Sequence, residues 1–185
     1  MRITAGEFRG RRLTAPSVAG LRPTSSKVRQ ALFNIIPPLL NDNSLRGTRV
    51  LELFAGSGIM AVEALSRGAS HVTSYECDAQ ALRAMRQLAQ TLRLTPAQWQ
   101  QQHHRLPRGL VAVQGQHFNL IFADPPYRQQ LAEQIPLWLE QQHISCELLV
   151  IEEASDTHPP WPQHWQEVIP PRRYGNTTLH FICPI

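Results

Sequence analysis

Apolar residues along this chain follow two rhythms. In KVRQALFNIIPPLL they fall at Val28, Ala31, Leu32, Ile35 and Ile36, the spacing of one helical face. Thr24, Ser25 or Ser26 can cap that helix, and Pro37-Pro38 are expected to end it. NDNSLRG reads as a polar loop. From Arg49 onward, short apolar runs take over. RVLELFAG predicts a strand, GIMAVEALSRGA a helix closed by Gly68, and HVTSYE a second strand. DAQALRAMRQLAQTLRL predicts a long helix capped by Asp78. Residues 95–117 are rich in Gln and His and show no clear period. FNLIFA predicts a third strand, RQQLAEQIPLWLEQQ a helix that Pro136 bends or breaks, and ELLVIEEA a fourth strand. HPPWPQHW reads as a loop. YGNTTLHFICPI predicts a final strand, with a partner near Trp165–Ile169.

Strands alternating with helices predict an α/β fold with a mostly parallel central sheet and helices on both faces. Ligands of such sheets bind beyond the carboxyl ends of the strands. Three features fall there: Gly56-Ser57-Gly58, Glu76, and the corner Asp124-Pro125-Pro126-Tyr127. Their shared position argues for one site.

Gly56, Gly58 and Ala61 are spaced as G-x-G-x-x-A between a strand and a helix, the form of a dinucleotide-type loop. Glu76 ends the second strand, where a carboxylate can accept from ribose hydroxyls. Glu52 lies four residues before Gly56. A carboxylate there would repel a pyrophosphate but suits a cationic ligand, which favours S-adenosylmethionine over a nicotinamide dinucleotide. With that cofactor the DPPY corner gains a chemical purpose. An exocyclic amine must be held in line for attack, with acceptors on its N–H groups and a ring beneath its base. The Asp124 carboxylate and Pro125 carbonyl can accept, Tyr127 can stack, and the prolines stiffen the backbone.

Length and charge add limits. The 185 residues, 42% hydrophobic, fit one domain with a sizeable core. No apolar run approaches a membrane span, and MRITAGEFRGRR lacks the apolar centre of a signal peptide. Cys77, Cys146 and Cys183 are odd in number and scattered, which indicates neither a zinc site nor a disulfide framework. A cytoplasmic protein that engages no membrane and no metal is expected. The net charge of +4 is unevenly placed: residues 1–30 carry seven Lys/Arg against Glu7 alone, a balance of +6. Such a basic arm suits a polyanion. The expected organisation is a basic N-terminal arm and helix over residues 1–40 and a second domain over 41–185.

ELFAGSG, YECD and DPPY resemble motifs of the class I S-adenosylmethionine-dependent methyltransferases that modify amino nitrogens. More narrowly, MRITAGEFRGRRL, LRPTSSKVRQALFN, VLELFAGSGIMAVEALSRGA, FNLIFADPPY and RRYGNTTL resemble the RsmD family, over nearly the whole chain. That resemblance implies a Rossmann-like methyltransferase fold and methylation of guanine N2 in 16S ribosomal RNA, within the small subunit or its assembly intermediate, by a monomer. It implies that Glu52, Phe54, Gly56, Gly58, Glu76 and Thr24 bind the cofactor. Asp124, Pro125, Pro126 and Tyr127 would be the catalytic corner, and Arg9, Arg11, Arg12, Arg22 and Lys27 would bind RNA. DPPY by itself also permits a DNA adenine- or cytosine-amine methyltransferase, although the chain shows no separate target-recognition domain. A non-catalytic RNA-binding relative is a third reading.

Other candidates have structural readings. His103-His104 are expected at the surface, Cys77, Trp138, Trp161 and Trp165 in packing, and Glu152-Glu153 as solvated strand-end acids. Tyr174-Gly175 is expected to serve the entry to the last strand. The chain departs from the family pattern in having Ser26 and Gln30 where acids are usual. It also has no Asp or Glu between Asp78 and Asp124, where the family places an acid on the cofactor's adenine. One lost hydrogen bond of that kind costs about 1–3 kcal/mol. Calorimetric titration with S-adenosylmethionine is therefore expected to give an affinity roughly ten- to hundredfold below that of relatives with the acid.

Overall fold

β1 (Arg49–Leu53) forms the middle of the molecule because its side chains are buried on both faces after Arg49. A computed structural model describes residues 2–13, 25–40 and 44–185. In chain order the described elements are α1 (Ser26–Leu39), β1, α2 (Ile59–Ser66), β2 (His71–Glu76), α3 (Ala79–Thr91), β3 (Trp99–His103), β4 (His117–Ala123), α4 (Ile135–Gln141), β5 (Ser145–Ala154), β6 (Trp165–Tyr174) and β7 (Thr177–Pro184). Seven strands form one sheet in the order β3-β2-β1-β4-β5-β7-β6. The first five run parallel, and β7 is antiparallel to both β5 and β6.

Alternation along the strands divides the core. Val50, Val72, Leu120, Phe122 and Val150 point to the side covered by α1, α2 and α3. Leu51, Leu53, Ile121, Leu149 and Ile151 point to the side covered by α4 and a 3-10 segment, Arg108–Val113. The predicted α/β sheet with helices on both faces is thus present.

Several boundaries differ from expectation. α1 is capped by the Ser25 hydroxyl, which accepts from Val28 N–H, but it runs through Pro37 and Pro38 to Leu39. The two prolines remove the amide donors that would reach the carbonyls of Phe33 and Asn34, and Leu40 N–H still closes the helix on the Ile36 and Pro37 carbonyls. β3 arises inside the stretch without a period. It is an edge strand anchored by one buried residue, Trp99, while the Gln-rich remainder stays partly exposed. Pro136 marks a break: a 3-10 turn, Ala132–Gln134, precedes α4, with Pro at its start. β6 extends past Ile169 to Tyr174, and Pro170 and Pro171 are tolerated because this strand lies at the sheet edge beside a register shift.

Residues 2–13 turn back on themselves, with Ile3 N–H donating to the Arg11 carbonyl and Gly10 N–H to that of Ile3. Ile3, Phe8 and Leu13 enter the same core cluster as α2. This hairpin covers the outer side of α2, which is why all eight residues of that helix are buried. Glu63 joins the parts. It is fully buried, pairs with Arg29 of α1 at 3.5 Å and Arg67 at 3.4 Å, and accepts from the Thr4 amide at 2.8 Å. Glu63→Ala leaves the Arg29 guanidinium buried without its carboxylate, and is expected to cost about 3–5 kcal/mol in urea unfolding.

Candidate active site

β1 turns sharply into α2, and backbone conformation dictates the residues there. Phe54, Gly56 and Gly58 all have positive φ, at 59°, 53° and 69°. Glycine adopts that region freely, whereas a bulky Phe does so only where its surroundings hold it. The Phe54 ring is half-buried, tilted against Trp138 with centroids 6.5 Å apart. Gly58 is constrained twice, because a Cβ there would stand 2.6 Å from the Trp99 ring and 2.8 Å from Met85.

Glu52 supports this loop from beneath. Its carboxylate accepts from Ala61 N–H at 3.3 Å and from the Ser74 hydroxyl, and that hydroxyl in turn accepts from the Trp99 indole at 2.8 Å. Glu52 is only 1% exposed. Burial pushes its carboxyl from an ordinary 4.5 up to about 7, partly offset by the hydrogen bonds from Ser74 and Ala61. Glu76 supports the loop from the side. It accepts at 2.7 Å from Gly56 N–H, and at 2.7 Å from each of the Cys77 and Asp78 amides. Three donors leave acceptor capacity on a half-exposed carboxylate, which suits a vicinal diol. Asp78 caps α3 as expected, accepting from Ala81 N–H.

Asp124 follows β4 directly, and its N–H donates to the Leu53 carbonyl at 3.4 Å. One hydrogen bond therefore separates the DPPY corner from the glycine loop. Pro125 is buried, Pro126 exposed, and Asp124 and Tyr127 are partly covered. The Tyr127 hydroxyl donates to Glu152 at 2.9 Å and lies 2.9 Å from the Thr177 hydroxyl. Glu153 accepts from Ala154 N–H at 2.7 Å and Arg128 N–H at 3.4 Å. The two acids are not solvated strand-end residues: Glu152 is 5% and Glu153 1% exposed. Burial raises the Asp124 carboxyl well above its ordinary value, and the negative charges of Glu152, Glu153 and Glu52 add to the rise.

The structure thus brings together Glu52, Phe54, Gly56, Gly58, Glu76 and Asp124–Tyr127. The positions Arg22 and Thr24 lie outside the described residues. Arg9, Arg11, Arg12 and Lys27 are exposed. The hairpin bearing the three arginines bonds to Ser66, at the far end of α2 from the loop. Seven helical steps place that contact about 10 Å from Ile59. Cys77 is exposed rather than packed. Trp138 and Trp165 are buried, and Trp161 lies edge-on to His180. At the end of β3, His103 reaches the Cys77 carbonyl at 3.0 Å, and His104, just after it, lies beside Tyr75.

A family model described as Conserved hypothetical protein 95 matches residues 1–183. The ribosomal RNA small subunit methyltransferase D of Escherichia coli (strain K12) is 35% identical over 169 residues, 89% of this chain and 81% of that protein. The chain belongs to this family. The methyltransferase D of Haemophilus influenzae is likewise 35% identical, over 89% of this chain and 84% of its own length. Among solved structures, yhhF from Escherichia coli superposes with a TM-score of 0.82 at 29% identity, covering 100% of this chain and 97% of that one.

Sequence reasoning missed the residues that support the candidate site: Ser74, Met85 and Trp99 under the loop, and Glu152 and Thr177 behind Tyr127. A lone Trp in QWQQQHH and a Glu pair ending an apolar strand were the available signals. Gly58→Ala is expected to lower cofactor affinity in a calorimetric titration and to destabilise the fold by about 1–3 kcal/mol, through strain and overpacking. Glu52 binds its proton more tightly when folded than when unfolded. Its contribution to stability is therefore complete below about pH 4.5 and is lost as pH rises to about 7, a change of about 3 kcal/mol. Urea midpoints of Glu52→Gln are expected to vary less between about pH 5 and 7.5 than those of the parent chain.

Proposed function

We propose that this chain transfers a methyl group from S-adenosylmethionine to the exocyclic N2 of a guanine in 16S ribosomal RNA, in the small subunit or its assembly intermediate. The observation that carries this reading is the junction of the Asp124 corner with the glycine loop through the Leu53 carbonyl. It puts an amine-holding group beside a loop fit for the cofactor. The relatives named ribosomal RNA small subunit methyltransferase D support the substrate class.

When bound, S-adenosylmethionine supplies an electrophilic methyl group on a sulfonium. The backbone at Gly56 and Gly58 would allow its close approach, Phe54 would offer an apolar wall, and Glu76 would accept from the ribose hydroxyls. Asp124 and the Pro125 carbonyl accept from the two N–H groups of the guanine amine, turning its lone pair out of conjugation with the base. Tyr127 stacks on the ring. Positive charge develops on the amine nitrogen as the new N–C bond forms and the methyl–sulfur bond breaks, its electron pair staying on sulfur as a neutral thioether, and the carboxylates around Asp124 favour that charge. The nitrogen then sheds one proton, which the raised proton affinity of Asp124 suits it to receive. Exposed Arg9, Arg11, Arg12 and Lys27 add RNA-phosphate contacts away from the reacting atoms.

Labelled S-adenosylmethionine, incubated separately with naked 16S RNA, assembled small subunits and DNA, distinguishes the substrates. Digestion is expected to yield labelled N2-methylguanosine from the RNA and no labelled nucleoside from DNA. Asp124→Ala is expected to abolish labelling while calorimetric cofactor binding changes less than about threefold. Near-parental turnover of that variant would overturn the assignment.

A further inference from the structure

We infer that Glu152, seconded by Thr177, is the positioning residue of the methyl-transfer corner, setting the plane of the Tyr127 ring and the charge that surrounds Asp124. This rests on the reading of Asp124 and Tyr127 given above, and it concerns residues outside the four-residue motif.

Direction of hydrogen bonding carries the first part. A phenol has one proton to give, and Tyr127 gives it to the Glu152 carboxylate at 2.9 Å. The Thr177 hydroxyl, 2.9 Å away, then donates to the phenol oxygen. The ring is thereby held at its far end by β5 and β7, which pair Glu152 with Leu179 and Ala154 with Thr177. Its near end is fixed by Pro125-Pro126. A stacking ring clamped at both ends presents one plane to a base, whereas one held at Cβ alone can rotate. Adjacent Glu153 fixes the next turn of chain by accepting from Arg128 N–H, where φ is +61°. The acid pair thus converts the end of β5 into a mount for the loop after β4.

Charge carries the second part. The ionisable groups facing Asp124 among the described residues are Glu152 and Glu153 from β5, Glu52 from β1, and Tyr127 from its own loop. Glu152 is the largest of the charge contributions that raise Asp124, after burial. Removing its charge while retaining its shape therefore moves the acid limb of activity to lower pH, which a purely structural role would not do.

Steady-state kinetics on small subunits, across pH, tests this with Glu152→Gln, Tyr127→Phe, the double variant and Thr177→Val. Folding is checked by circular dichroism and calorimetric cofactor titration. The expected result for Glu152→Gln is a kcat loss of about 10- to 100-fold, an unchanged cofactor KM and an acid limb shifted to lower pH. The double variant is expected to lose no more than the worse single variant, because both remove one interaction. Thr177→Val is expected to lose less than Glu152→Gln, with the acid limb unmoved. Glu147→Gln, at the opposite end of β5, is expected to match the parent chain. Parental kcat and an unmoved acid limb in Glu152→Gln would overturn the inference while leaving the function intact, provided Asp124→Ala is dead. An active Asp124→Ala would overturn the function itself.

Discussion

The buried carboxylate of Glu52 is the constraint on which the site depends. It lies on the central strand, beneath the turn that leads into α2, and it binds both that helix and β2. Ser74 passes the connection to Trp99 on the edge strand. One acid thus joins three neighbouring strands to the first turn of a helix. Trp99 then closes the space under Gly58, so the loop retains the open backbone geometry that only glycine allows. A carboxyl in such surroundings resists ionisation, and the network is stable because its hydrogen bonds offset part of the burial cost.

A second polar hub works at the far end of the same helix. Glu63 binds Arg29, Arg67 and Thr4, joining α1 and the N-terminal hairpin to the body. Arg67 also lies over the Phe33 ring at 4.9 Å. The hairpin therefore does not trail from the domain. Its apolar residues complete the core over α2, and its arginines Arg9, Arg11 and Arg12 face outward. Positive charge and core packing come from the same twelve residues, arranged on opposite sides.

The site was legible where its chemistry is local. A G-x-G turn after an apolar strand, an acid ending the next strand, and an acid-proline corner each announce themselves within a few residues. The supporting residues were not legible in the same way. Glu152 and Glu153 look like surface acids after an apolar run, and only the pairing of β5 with β7 buries them against Tyr127. β3 escaped because an edge strand with one buried Trp has no alternation to detect. Pro37 and Pro38 misled in the other direction, since the helix runs through both before it ends at Leu39.

The sequence by itself determined the alternation of strands and helices, the glycine loop, and the acids and ring that stand beyond the strand ends. These follow from side-chain period and from backbone preferences that act over three or four residues. Only the tertiary structure decided which carboxylates are buried, which of them face one another, and where the N-terminal arginines lie. Burial and mutual charge depend on strand order and register, which bring residue 52 to residue 74, residue 63 to residue 29, and residue 127 to residues 152 and 177. No window of the chain contains those distances, because they exist only once the sheet has formed and the helices have packed on it.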